Sequence, residues 1–113
     1  MSKDWKTLGR ENLQRSAALG KAIPDTMQAF AQTMKAASAD GALSHKTKEL
    51  MAVAISIAIR CEGCVAYHTR AAVKAGASRE EFAETIAVAI EMGGGPSAIY
   101  GAEALEAYDQ LAA

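Results

Sequence analysis

The sequence predicts an all-α fold, a single domain built as a bundle of about six helices, and three observations carry that prediction. Gly and Pro fall between stretches of helical periodicity, half of the residues are apolar while only 5% are aromatic, and alanine fills much of the apolar half. Alanine is the best helix former, and side chains that small let helices pack closely. At 113 residues the chain can bury one modest core. It contains no internal repeat, low-complexity tract or linker.

The first helix is expected from about Asp4 to Leu19, with Trp5, Leu8, Leu13 and Leu19 as its apolar positions and a stop near Gly20. Pro24, a favoured first-turn residue, opens a second helix with Met27, Phe30 and Met34 at three-to-four spacing. Asp40-Gly41 makes a turn, and Ser44 caps a third helix from Lys46 to about Arg60. Leu50, Val53, Ala54 and Ile57 form one stripe of it, and Met51, Ile55 and Ile59 extend the apolar surface, so this helix should be buried nearly all round. Cys61-Glu62-Gly63 breaks that helix or begins the next, which runs to a C-cap at Gly76. Ser78-Arg79-Glu80-Glu81 fits a capping box ahead of Phe82, Ile86 and Ile90. Gly93-Gly94-Gly95-Pro96 ends that helix and starts the last, Pro96 to about Leu111. Met51 and Met92 are assigned to the core, and Tyr67, Tyr100 and Tyr108 to the core or to an interface. Residues 1–22 are read as an N-terminal helix in oligomer contacts and 24–111 as the core, because the first helix carries more apolar surface than one thin core can cover.

Composition also excludes functions. Twelve basic and thirteen acidic residues leave a net charge of -1, scattered without the basic stripe that a phosphate backbone requires, so no nucleic-acid partner is expected. The longest apolar window, Met51 to Ile59, is nine residues, about half of the ~20 needed to cross a bilayer, so no membrane partner is expected either. The opening Met1-Ser2-Lys3-Asp4-Trp5 is polar rather than signal-like, and the expected location is cytoplasmic. In that compartment a lone Cys-x-x-Cys points to catalysis or metal binding rather than to a structural staple.

That pair, Cys61 and Cys64, is the centre of the functional reading. Two thiols separated by two residues can close a disulfide, and a helix start beside them stabilises a thiolate. His68 follows Cys64 by four positions on the same helical face, and an imidazole that titrates near neutrality can take and return a thiol proton. Glu49 lies twelve residues before Cys61. A straight helix would carry it about 120° round and roughly 18 Å away, but a sharp reversal at Cys61 would fold the second helix back and bring His68 to Glu49. The carboxylate could then fix the imidazole tautomer. Other readings stand beside this one: Glu49 as a surface residue flanked by Lys46 and Lys48, the cysteines as two small buried hydrophobes, or Cys61, Cys64 and His68 as zinc ligands with His45 or Glu49 as a fourth. A zinc-stabilised binding module and a structural oligomer with vestigial cysteines are the corresponding non-enzymatic functions. His45, in a polar loop, is expected to be solvated.

Glu49-x11-Cys61-x2-Cys64-x3-His68 on an Ala-rich helical chain resembles the alkylhydroperoxidase AhpD-like, carboxymuconolactone decarboxylase superfamily. The resemblance covers Glu49 to His68 residue by residue and extends to the Met27-to-Tyr108 layout, including the Ala-Gly-Ala-Ser-Arg-Glu-Glu segment. It implies an enzyme of the peroxidase type, without a bound cofactor or metal, that reduces hydroperoxides through a cysteine pair and works as a trimer or hexamer. Carried over, Cys64 is the attacking thiol, Cys61 the resolving thiol, and His68 with Glu49 the proton relay, while an unidentified electron donor reduces the disulfide. The chain departs from the alkylhydroperoxidase pattern at Gly63, where that enzyme has a histidine. The decarboxylase branch generally lacks the cysteine pair, which disfavours lactone decarboxylation. By helix geometry alone Cys61 could instead be the more acidic thiol, and the same centre would then perform general thiol-disulfide exchange.

Overall fold

Four helices begin where a side chain takes up a free N–H group, and two have a proline in their first two positions. In the computed structural model, which describes residues 2–113, the six follow one another: α1 Trp5–Ala22, α2 Pro24–Ser38, α3 His45–Ala58, α4 Glu62–Lys74, α5 Arg79–Gly93 and α6 Gly95–Ala112. Asp4 accepts the Thr7 N–H (3.1 Å), Ser44 that of Thr47 (3.1 Å), and Cys61 Sγ that of Cys64 (3.2 Å). Ser78 and Glu81 form the expected capping box, with reciprocal bonds of 3.0 and 2.8 Å. Lys46 and the Ser78 N–H hold the Glu81 carboxyl below its usual range, the backbone bond being the larger influence.

Two helix ends share one device. After α4, Gly76 takes a φ of 92° while the Ala77 and Gly76 N–H groups bond to the carbonyls of Ala72 and Val73, a Schellman motif. Gly76 therefore stands one residue beyond the C-cap, Ala75, rather than being the cap itself. After α3 the same pattern recurs, Cys61 N–H to Ser56 and Arg60 N–H to Ile57, but the left-handed position is Arg60, with φ 60°. The first helix, by contrast, does not stop at Gly20. It runs through to Ala22 and ends where Pro24 begins α2, because nothing before that proline denies the helix its hydrogen bonds.

The core lies between α3, α4, α5 and α6. Val53 and Ile57 from α3, Val65 and Ala72 from α4, Phe82 and Ile86 from α5, and Ala104, Ala107 and Tyr108 from α6 fill it. Burial of a side chain such as Ile57 or Phe82 contributes about 1.5–3 kcal/mol. Tyr108 stacks at a tilt on Phe82, ring centroids 4.9 Å apart, and its hydroxyl donates to the Ala77 carbonyl (2.7 Å). Small residues set the spacing: a Cβ on Gly101 would lie 2.5 Å from Ile86 Cγ2, so glycine there lets α6 close on α5.

Several expectations about burial are corrected. Trp5 is buried in its own chain, at 2% exposure, against α4 and α6, whereas Leu13 and Leu19 of the same helix are half exposed. Helix α3 is not covered all round, for Met51, Ile55 and Ile59 lie on an open face. Met92 is 79% exposed and Ile90 is also exposed, while Tyr67, assigned to the core or to an interface, lies outside the core. Helix α2 buries no residue at all and touches only α1 and, lightly, α3. Among the described residues, no helix is long and apolar enough to cross a membrane.

Candidate active site

The left-handed turn at Arg60 reverses the chain. Residues other than glycine or asparagine rarely occupy that region, at a cost of roughly 1–2 kcal/mol, and here the conformation delivers Cys61 directly to the N-cap of α4. Helix α4 then runs back along α3, the most extensive helix pairing in the molecule together with α5 on α6. Its first turn closes the Cys61–Cys64 disulfide, with Cα atoms 5.2 Å apart, and both cysteines are half-buried. Cys61 Sγ accepts the Cys64 N–H, so the free end of the α4 dipole points at that sulfur.

One turn further, His68 meets Glu49. The imidazole Nδ1 is 3.1 Å from Oε1 and 3.4 Å from Oε2 of the carboxylate. Glu49 is 4% exposed, and the two lysines that a surface reading would pair with it turn elsewhere, Lys46 to Glu81 (2.9 Å) and Lys48 to the Ala39 carbonyl (2.6 Å). An ionised carboxylate can only accept, so a neutral His68 carries its proton on Nδ1 and keeps Nε2 as a free acceptor. The His68 side chain is 22% exposed, within reach of solvent, and the Tyr67 ring packs edge-on against it, centroids 5.0 Å apart. All four candidate residues, Glu49, Cys61, Cys64 and His68, thus lie on the facing α3–α4 pair.

His45 does not join them. Its Nδ1 contacts the Ser38 carbonyl (2.6 Å) and its backbone N–H donates to Asp40 (2.7 Å), which closes the loop before α3. Among the described residues no group of three or more His, Cys, Asp and Glu side chains is gathered as a metal site. Sequence reading missed three residues around the motif. Arg60 carries no glycine or asparagine signal for its turn, and Lys3 and Asn12, which reach Glu62 and Gly63 from the chain's start, are distant in sequence.

Fold and site together define a small all-α domain with a disulfide-linked cysteine pair one turn from a part-buried histidine that meets a buried glutamate. The profile of the Carboxymuconolactone decarboxylase family matches residues 24–107, and the chain belongs to that family. It is similar to an uncharacterized protein of Cupriavidus necator, 46% identical with 98% of each chain covered, and to an uncharacterized protein encoded in the cox locus of Paracoccus denitrificans, 37% identical over 85% of this chain and 89% of the relative. The crystal structure of an apo carboxymuconolactone decarboxylase family protein from Legionella pneumophila superposes with a TM-score of 0.93 at 41% identity, covering 96% of this chain and 97% of that one. The family includes enzymes, a decarboxylase and an alkylhydroperoxidase among them.

Proposed function

We propose that the protein is a thiol-dependent peroxidase that reduces hydroperoxides through Cys61 and Cys64 with a His68–Glu49 proton relay. The observation that carries the reading is the Nδ1 contact of His68 with the buried Glu49, one helical turn from Cys64. His68 Nε2 takes the Cys64 proton, and the thiolate attacks the distal peroxide oxygen. The O–O bond breaks, Cys64 becomes a sulfenic acid, and the imidazolium returns the proton to the leaving alkoxide as an alcohol. The Cys61 thiol then condenses with the sulfenic acid, expelling water and closing the disulfide. An external dithiol donor supplies two electrons and two protons to reopen it.

A second reading has its own observation. Cys61 Sγ sits at the N-cap and accepts a backbone N–H, an environment that favours the Cys61 thiolate and supports thiol-disulfide exchange led by that sulfur. Loss of thiols on addition of cumene hydroperoxide, measured on reduced wild type and on Cys61→Ser, Cys64→Ser and His68→Ala, separates the two. The expected result is rapid loss of two thiols per wild-type chain, loss of the single thiol to sulfenic acid in Cys61→Ser, no loss in Cys64→Ser and slower loss in His68→Ala. Unreactive thiols in the wild type would remove the peroxidase reading, and sulfenic acid at Cys61 in Cys64→Ser would reverse the roles.

The active form on this reading is a homo-oligomer of three or six chains. Support comes from α2, which buries nothing in its own chain, and from the half-exposed Leu13 and Leu19 of α1. Sedimentation velocity at micromolar concentration is expected to show the assembly, and a monomer would overturn it.

A further inference from the structure

We propose that Lys3 and Asn12 are positioning residues for the Cys61–Cys64 couple, acting through the Glu62–Gly63 dipeptide between the cysteines. The inference rests on the redox reading of that pair but not on a peroxide being its oxidant.

The segment before α1 is fastened to the body on both sides of Lys3. Gln110 of α6 donates from Nε2 to the Lys3 carbonyl (2.7 Å) and accepts the Trp5 N–H at Oε1 (2.8 Å), while the buried Trp5 ring lies beneath the Lys3 ammonium, 5.5 Å from Nζ to the ring centroid. From this base Lys3 Nζ pairs with the carboxylates of Glu62 and Glu103. Its hydrogen bonds to Glu103 and then to Glu62 hold the ammonium well above the ordinary lysine range. Glu62 is the residue next to Cys61, so its negative charge opposes a thiolate in the motif. Lys3 offsets that charge.

Asn12 acts on the neighbouring position. A Cβ on Gly63 would lie 2.9 Å from Asn12 Nδ2 and 3.5 Å from its Cγ, so the asparagine amide occupies the space that a side chain at residue 63 would need. Arg15 donates to Asn12 Oδ1 and holds the amide end in that place. Farther along the same crossing, a Cβ on Gly9 would touch Ala66 Cβ at 3.9 Å, so α1 lies close over the face of α4 that carries Gly63. The charged groups around the motif are then Lys3 and Glu103 through Glu62, Arg15 through Asn12, Arg60 before Cys61, and the His68–Glu49 pair on α4 and α3.

The couple itself is balanced simply: the Cys61–Cys64 disulfide takes two electrons and two protons from dithiothreitol, which closes to its own cyclic disulfide. Whatever raises the energy of the thiolate raises the thiol pKa and moves this equilibrium toward the protein disulfide.

The test measures the pKa of the more acidic thiol by thiolate absorbance, and the dithiothreitol equilibrium, on the full chain. Lys3→Met should raise that pKa by about 0.2–0.7 unit, the size expected of an exposed ion pair, and shift the equilibrium toward disulfide, whereas Lys3→Arg should match wild type. In a Glu62→Gln background the effect of Lys3→Met should vanish. An unchanged pKa in Lys3→Met, a loss of stability alone, or an equal shift with and without Glu62 would each overturn the role of Lys3. For Asn12 the pair is Gly63→Ala in wild type and in Asn12→Ala: the substitution should shift the equilibrium in the first and much less in the second. Equal shifts would overturn the role of Asn12. Both readouts are independent of peroxide, so inert thiols toward cumene hydroperoxide would sink the peroxidase reading and leave this one standing.

Discussion

Helices α2 and α4 carry apolar residues at similar spacing and meet opposite fates. In α4, Val65, Ala66 and Ala72 are buried between α3, α6 and α1; in α2, Phe30 is 56% exposed and no residue is buried. The difference teaches that periodicity defines a face and says nothing of what covers it. For α4 the cover is in the same chain. For α2 the cover we propose is another copy of the chain.

The largest effect should come from setting the body against this arm. Phe82→Ala, which empties a fully buried site, should destabilise by about 3–5 kcal/mol in urea unfolding, while Phe30→Ala should stay within roughly 0.5 kcal/mol at protein concentrations low enough to dissociate an assembly. If Phe30→Ala cost as much as Phe82→Ala under those conditions, the contrast between the regions would be broken. A cost that appears only as concentration rises would sharpen it.

Within the body, Glu49→Gln keeps the shape of the buried side chain and removes its charge. Its expected signature is a fall of roughly 10²-fold in the rate of thiol oxidation, the scale of general acid–base assistance, with a stability change near 1 kcal/mol. An undiminished rate would make the Glu49–His68 contact purely structural. The smallest effect concerns the reversal. Arg60→Gly relieves a left-handed conformation, which is balanced in part by the added freedom of glycine in the unfolded chain, and a net gain of about 0.5 kcal/mol is expected. A loss of stability would mean that the Arg60 side chain holds the turn by contacts of its own.

Much of the site was legible because its elements repeat local rules. Cys64 and His68 share a face by spacing alone, and Ser44, Ser78 and Pro24 mark helix starts through bonds or ring geometry within one turn. Glu49 was legible only as a candidate, since its neighbours Lys46 and Lys48 offered an equally good surface reading. Met51 and Met92 were misplaced because an apolar residue on a helix with several apolar faces gives no sign of which face has a partner. Arg60 was invisible because it does the work of a glycine.

By itself the sequence determined an all-α chain, where most of its helices begin, and the motif that holds the two cysteines one turn from a histidine, since capping, proline and helical spacing act over three or four residues. The tertiary structure alone decided that Glu49 faces His68, that Asn12 fills the space beside Gly63, and that Trp5 belongs to the core while α2 does not. Those outcomes depend on which helices lie against one another, and that is set by the summed packing of the whole chain rather than by any residue's neighbours in sequence.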